Sequence, residues 1–312
     1  FLIISPNLVW QYKNNFPVVH HLKLLTESQL VNVNRFDFLK EQLYFFTGSL
    51  IVIVAAFISF FTYEPFRKYR VFFFAFVFTI AIFVLLRAKS YYSIGLYPIF
   101  LAFGAVYLEK LLKTGWLRVL QIPLILIPMV SFIPLFTIIL PVLSPEQIQQ
   151  KKEVFDKFGL TRWEDGKTHN MPQDFADMLG WKELASLVDS AFLMIDEKEQ
   201  TIIHCDNYGQ AGAINFYSNQ PYTEAVTMNA DYINWYPLDK FEIVNVIMVK
   251  GRFDEDKTRE REKAFFENVS LVGEIKNEYA REVGTRVYLL KGAKLSINKI
   301  LREDIADRKT NY

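Results

Sequence analysis

Long apolar runs and charged stretches divide this chain unequally. Stretches 42–63, 71–86, 93–108 and 119–143 carry no charged residue. Each approaches or exceeds the roughly 20 residues that a helix needs to cross about 30 Å of hydrocarbon. The pattern predicts four membrane-crossing helices joined by short connections containing Lys and Arg. Stretch 71–86 is the shortest, and Tyr69 and Arg87 can snorkel to extend it. Stretch 119–143 holds Pro123, Pro128, Pro134 and Pro141, which predicts kinks whose freed carbonyls are satisfied by neighbouring helices.

From Ser144 the periodicity changes to that of a water-soluble fold. Helices are predicted over 145–158, 181–195, 208–217, 256–268 and from Ser296 onward. Strands are predicted over 201–205, 242–249, 270–275 and 285–290. Helices alternating with short strands imply an α/β domain large enough for its own core. The charge run 254–263 reads as solvated helix faces with opposite charges one turn apart. The resulting division is 1–41 (the end of an earlier span and a juxtamembrane loop), 42–143 (the membrane region) and 144–312 (a soluble domain). The chain opens on Phe1, and Phe1 to Ile4 reads as the last turn of an apolar helix ended by Ser5-Pro6-Asn7, so a C-terminal part of a longer protein is expected.

Charge sets the expected orientation. Connections 64–70 and 109–118 hold Arg67, Lys68, Arg70, Lys110, Lys113 and Arg118, which places them in the cytoplasm. Segment 7–41, the 87–92 turn and the tail then lie outside. Net charge is only +1, with no basic patch that points to nucleic acid, and aromatic content of 16% suits lipid-facing and interfacial positions. The single cysteine, Cys205, excludes an internal disulfide. No span carries a buried charge of the kind that marks a translocation path, which argues against a transporter.

Candidate chemistry gathers at the outer ends of the apolar runs. The turn Arg87-Ala88-Lys89-Ser90-Tyr91-Tyr92 sets two cations beside two phenols, a combination suited either to holding a lipid phosphate or to anchoring helices at the interface. Segment 7–41 carries His20, His21, Glu27 and Arg35; one histidine with Glu27 could bind a metal or orient a phosphate. Neighbouring histidines do not share a helix face, so spacing alone makes no two-ligand clip, and an interfacial helix with aromatic anchors fits the same residues. In the tail, His169, Asp174 and Asp177 are candidate metal ligands, His204 reads as a satisfied core or edge histidine, and Asn207 to Ala213 reads as a tight strand-to-helix turn. Asn268-Val269-Ser270 matches a glycosylation sequon too common to carry weight. No Ser/His/Asp constellation, nucleotide-binding loop or cysteine cluster is visible.

Pro6-Asn7-Leu8-Val9-Trp10-Gln11 with Asn15-Phe16-Pro17, and Lys89-Ser90-Tyr91-Tyr92 with Leu96-Tyr97-Pro98 and Gly104-Ala105, resemble the bacterial family 39 glycosyltransferases of the GT-C superfamily. These are relatives of protein O-mannosyltransferases and of the lipid A aminoarabinose transferase. Met171 to Met178 and Asn207 to Ala213 are similar to the soluble C-terminal domain of many bacterial members. The resemblance implies a multi-pass inner-membrane protein with its tail outside the cytoplasm. It implies transfer of a sugar from a polyprenyl-phosphate carrier to a glycan, lipid or protein acceptor. The family's catalytic aspartate lies in a first outer loop, expected upstream of this chain, which would leave the chain inactive alone. By the match to the family's lysine-tyrosine turn, Lys89, Tyr91 and Tyr92, with Arg87, would contact the carrier phosphate. By looser analogy, Arg35, His20 and His21 would serve the donor phosphate or a divalent metal. The competing expectation is a non-enzymatic membrane protein of polysaccharide export or sensing, with a ligand-binding tail.

Overall fold

The structure is a computed structural model and describes residues 2–196, 198–220 and 224–310. The chain forms two compact units: His21–Thr168, and Phe1–His20 together with His169–Tyr312. The first unit runs past residue 143, so the segment between there and Thr168 groups with the apolar helices.

The helices in chain order begin with α1 (Ser5–Lys13), α2 (Pro17–Ser28), α3 (Arg35–Phe45), α4 (Leu50–Thr62), α5 (Arg70–Leu85), α6 (Pro98–Leu111) and α7 (Gln121–Ile139). Ser5-Pro6-Asn7, expected to end a helix, instead starts α1, with Pro6 in the first turn where its missing N–H costs nothing. Phe1 lies outside the described residues.

Among the described residues, two helices are long and apolar enough to cross a membrane: Glu64–Leu85 and Gly115–Ile139. Two bent pairs raise the number to four if each is one span: Arg35–Phe45 with Thr47–Thr62, at 63°, and Ser90–Leu96 with Pro98–Leu111, at 48°. Stretches 42–63 and 93–108 are therefore broken rather than straight, at Phe46 and at Tyr97. Of the four prolines expected to kink this stretch, Pro128 and Pro134 lie inside α7, which continues through both, and Pro141 lies past its end. Among the described residues of α5 and α7 none is buried. Val71, Phe74 and Phe78 of α5, like Ile125, Met129 and Ile133 of α7, are exposed. Apolar faces of that extent need a non-aqueous surround.

Within this unit α4 packs on α6 across Phe60, Phe100 and Tyr97, with Phe57, Phe73 and Phe76 edge-to-face around them. The approach is closest at Gly104, where a Cβ would lie 1.9 Å from the Val52 carbonyl oxygen. The polar contents of this core are concentrated at Gln42. Its Oε1 accepts from Tyr97 Oη at 3.0 Å and from Ser93 Oγ, and its Nε2 donates to the Ser90 and Phe38 carbonyls, both at 3.2 Å. One amide thus ties α3 to the 3₁₀ turn Ser90–Leu96, which carries Tyr91 and Tyr92. The unit ends with α8 (Pro145–Gln150), opened by a Ser144 capping box, and α9 (Lys152–Lys157), so the 145–158 helix is interrupted at Lys151.

The second unit contains α10 (Gln173–Ala176), α11 (Trp181–Leu193), α12 (Tyr208–Tyr217), α13 (Glu260–Lys263) and α14 (Ile297–Thr310). Its strands are β1 (Thr201–Cys205), β2 (Ala225–Thr227), β3 (Asn245–Lys250), β4 (Phe266–Glu274) and β5 (Arg286–Ala293). They form one mixed sheet in the order β2-β1-β3-β5-β4, with β1 parallel to β2 and β3, and β5 antiparallel to β3 and β4. Alternate residues face opposite cores. Ile203, Ile247 and Leu289 pack with Leu184 and Val188 of α11 and Ile214 of α12. Ile202, Val246 and Leu290 pack with Ile297 and Leu301 of α14. Both sheet faces are covered, which explains why the strands read as nearly continuous apolar runs.

The helix expected over 256–268 shrinks to α13. Arg259 takes a left-handed φ of 55° and turns its side chain inward. It is only 3% exposed, pairs with Asp254 and lies over the Tyr288 ring at 5.3 Å. A buried guanidinium needs such partners. Within the run 254–263 the expectation of solvated opposite charges one turn apart holds for the exposed Glu260–Lys263 pair of α13 and fails at Arg259.

Candidate functional site

Two arginines separated by 52 positions meet because each sits at a helix end. Asn34 caps α3, its Oδ1 accepting from Phe36 N at 2.8 Å, and this fixes Arg35 as the first helical residue. A cation is disfavoured by the dipole at a helix start. The carbonyl end of α5 offsets that cost, since Arg35 Nε donates to Val84 O at 3.0 Å and Nη2 to Leu85 O at 3.4 Å.

Arg87 ends α5. Ala88 N bonds Phe83 O at 2.8 Å and Arg87 N bonds Val84 O at 3.4 Å, a Schellman closure with Arg87 in the left-handed position at φ 53°. Glycine is the usual occupant there, and a non-glycine residue costs on the order of 1 kcal/mol. An arginine kept in a strained position points to a use for its side chain. Its Nη1 donates to Val31 O at 3.0 Å, which aims the remaining donors alongside Arg35.

The third guanidinium, that of Arg162, comes from a turn after α9. Trp163 N bonds Lys167 O at 2.9 Å, Gly166 N bonds Trp163 O at 3.0 Å, and Arg162 bridges to Thr168. The three arginines line an open cavity of about 460 Å³ with Val31, Asn32, Val33 and Asn34. Among the described residues lining it none is acidic. A phosphate, which accepts bidentate bonds from guanidinium forks, is the chemistry such a cavity favours.

Lys89 is placed differently. It forms an ion pair with Glu164 and its side chain is 14% exposed. Burial works against its charge, but the hydrogen bond and charge of Glu164 outweigh burial and hold the amine above its usual pKa. The Tyr91 ring centroid lies 6.0 Å from the Lys89 Nζ. Tyr91 and Tyr92 are 52% and 46% exposed and stack edge-to-face at 5.0 Å. The structure thus brings Arg35 and Arg87 together and gives Lys89 an acidic partner. His21 lies exposed on α2, and the side chain of His20 lies outside the described residues.

Among the described residues, no group of three or more His, Cys, Asp and Glu converges. Asp177 instead pairs with Arg281 at 3.0 Å, which corrects the expectation for His169, Asp174 and Asp177. His204 is the satisfied histidine expected, with Nδ1 2.8 Å from the Tyr236 hydroxyl. Burial, and then the charge of Lys250, push its pKa down to about 4. Asn207 caps α12 by accepting from Gln210 N at 2.9 Å, and Gln210 is buried, so the tight strand-to-helix turn expected is made by Asp206 and Asn207, and Tyr208 to Ala213 already belong to α12. The Cys205 thiol is buried, which pushes its pKa up and leaves it inert.

Sequence reasoning missed Arg162, Glu164 and Asn32. The Asp165-Gly166 pair signals a turn near them. Nothing local signals that this turn meets residues about 75 positions earlier. Against known proteins, the chain matches no family model, no curated protein and no solved structure.

Proposed function

We propose that this chain belongs to a membrane glycosyltransferase that takes a sugar from a polyprenyl-phosphate carrier. The observation that carries the reading is the convergence of Arg35, Arg87 and Arg162 on one acid-free cavity beside apolar helices. A carrier phosphate gathers negative charge as the sugar–oxygen bond breaks, and guanidiniums already aimed at it lower that barrier. In this reading each bent pair is one span, giving four, and the cavity and the tail face the extracytoplasmic side of the inner membrane. The resemblance of the Lys89-Ser90-Tyr91-Tyr92 turn to family 39 glycosyltransferases supports the same assignment. The acceptor is a glycan, lipid or protein.

The test is sugar transfer from a polyprenyl-phosphate donor in membranes expressing the native gene. Arg35→Ala should lower transfer by about 10- to 100-fold, as expected for one charge-assisted bond of roughly 1.5–3 kcal/mol. Arg87→Gly should lower it similarly while raising the unfolding midpoint, because it relieves the left-handed strain. Transfer unchanged in both variants would remove the cavity from the mechanism. Absence of transfer with a bound, unprocessed lipid would favour a non-enzymatic export or sensing role.

A further inference from the structure

The segments Arg87 to Lys89 and Arg162 to Glu164 contribute matching pairs. One residue of each, Arg87 and Arg162, faces the cavity, and the other, Lys89 and Glu164, forms the ion pair. We propose that the Glu164 carboxylate stands in for a ligand phosphate on Lys89, and that a phosphate-bearing ligand entering the arginine cavity displaces it. This rests on reading the cavity as a phosphate site, and it extends that site to include Lys89.

Three features support the exchange. Lys89 is largely withdrawn from water, so its ammonium needs an anion whether or not ligand is present. A carboxylate and a phosphate meet that need equally, and like charges do not share one ammonium without cost. The backbone of Glu164 is held separately from its side chain, because Asn32 Nδ2 donates to Glu164 O at 2.9 Å. Gly166 keeps that seat close, since a Cβ there would lie 2.9 Å from Asn32 Oδ1. The carboxylate therefore leaves Lys89 by side-chain rotation while Arg162 stays at the cavity. With Glu164 turned away, Lys89, two residues after Arg87 in the chain, is left to pair with the phosphate that enters beside Arg35, Arg87 and Arg162. A phosphodiester or phosphomonoester on a lipid, or free phosphate, carries the charge required.

The test uses the whole chain in dodecyl maltoside micelles and a water-soluble carbodiimide, which joins a lysine amine to a carboxylate in direct contact. Peptide mass spectrometry should find the Lys89–Glu164 amide in the free protein. Measured against the amide of the exposed Lys263–Glu260 pair, which corrects for carbodiimide consumed by phosphate, its yield should fall about tenfold with saturating dodecyl phosphate and should not fall with uncharged dodecanol. Inorganic phosphate giving the same loss would identify the phosphate group alone as the ligand; loss with dodecyl phosphate only would identify a lipid headgroup. Glu164→Gln should bind dodecyl phosphate about tenfold more tightly, with the gain absent in Lys89→Ala/Glu164→Gln. No cross-link in the free protein, or a yield unchanged by bound dodecyl phosphate, overturns the proposal. Displacement without sugar transfer would leave the proposal standing and overturn the transferase reading. Transfer with an undisturbed cross-link would do the reverse.

Discussion

His204 shows how one buried side chain couples stability to pH. Its folded pKa of about 4 lies below the ordinary value of 6.5, because burial and the charge of Lys250 disfavour the imidazolium. Between those values the unfolded chain binds a proton that the folded chain does not, so stability rises with pH across the window. The contribution is complete above about pH 6.5 and is lost as pH falls toward 4, amounting to roughly 3 kcal/mol. Thermal unfolding of the chain between pH 4 and 7 should show this slope, and His204→Asn, which keeps an acceptor for the Tyr236 hydroxyl, should flatten it. An equal slope in both proteins would assign it to other groups. Single residues differ most in how far the sequence makes them legible. Arg35 and Arg87 stood out as cations at the ends of apolar runs, and they do share a cavity. Arg162 sat in an unremarkable polar turn. Arg259 looked solvated because its neighbours alternate in charge, whereas its left-handed φ directs it inward.

At the scale of elements, the apolar helices are fixed by contacts that composition does not display. Gly104 of α6 lets the backbone of α4 approach until only a hydrogen fits against the Val52 carbonyl. Close approach at small residues is a main source of helix association where lipid removes the hydrophobic drive. Gly104→Ala should therefore separate α4 from α6 and cost about 1–3 kcal/mol, read as a lower unfolding midpoint in detergent. An unchanged midpoint would mean that the helices adjust freely at this crossing. Periodicity located α11, α12, α14 and the strands β1, β3, β4 and β5 to within a few residues. It missed β2, because three residues, Ala225–Thr227, are too few for a period. It extended the charged helix into Phe266, which pairs with Ala293 as the first residue of β4. Hydropathy found all four apolar runs but not the bends at Phe46 and Tyr97. The signals there are short: Thr47-Gly48-Ser49 before α4, and Pro98 opening α6. Gln42, buried on α3, binds Ser90 before the second bend and Tyr97 at it, and looks in sequence like an ordinary flanking polar residue.

For the whole molecule, the decisive quantity is the number of crossings. Glu64–Leu85 runs 22 residues without a sharp bend; its α-helical part, Arg70–Leu85, reaches about 24 Å at about 1.5 Å per residue, and the 3₁₀ turn Glu64–Tyr69 supplies the rest. Pro98–Leu111 has 14 residues and reaches only about 21 Å, so it crosses about 30 Å of hydrocarbon only with help from the bent Ser90–Leu96 turn. If this pair crosses, the turn after α5 and the turn after α6 lie on opposite sides of the membrane. If it re-enters, they lie on the same side. In the proposed topology the pair crosses with the 87–92 turn outside, as expected from the six cations at Arg67, Lys68, Arg70, Lys110, Lys113 and Arg118 against Arg87 and Lys89 in the intervening turn. Cys205 is the chain's single cysteine and is buried, so cysteines introduced at exposed positions can be labelled almost without background. In intact cells, an impermeant maleimide should modify Ile94→Cys, and should modify Thr114→Cys only after permeabilisation. Modification of both from outside would make Ser90–Leu111 a re-entrant hairpin and reduce the spans to fewer than four. Modification of Thr114→Cys alone would place the arginine cavity on the cytoplasmic side, where an extracytoplasmic lipid-borne sugar could not reach it.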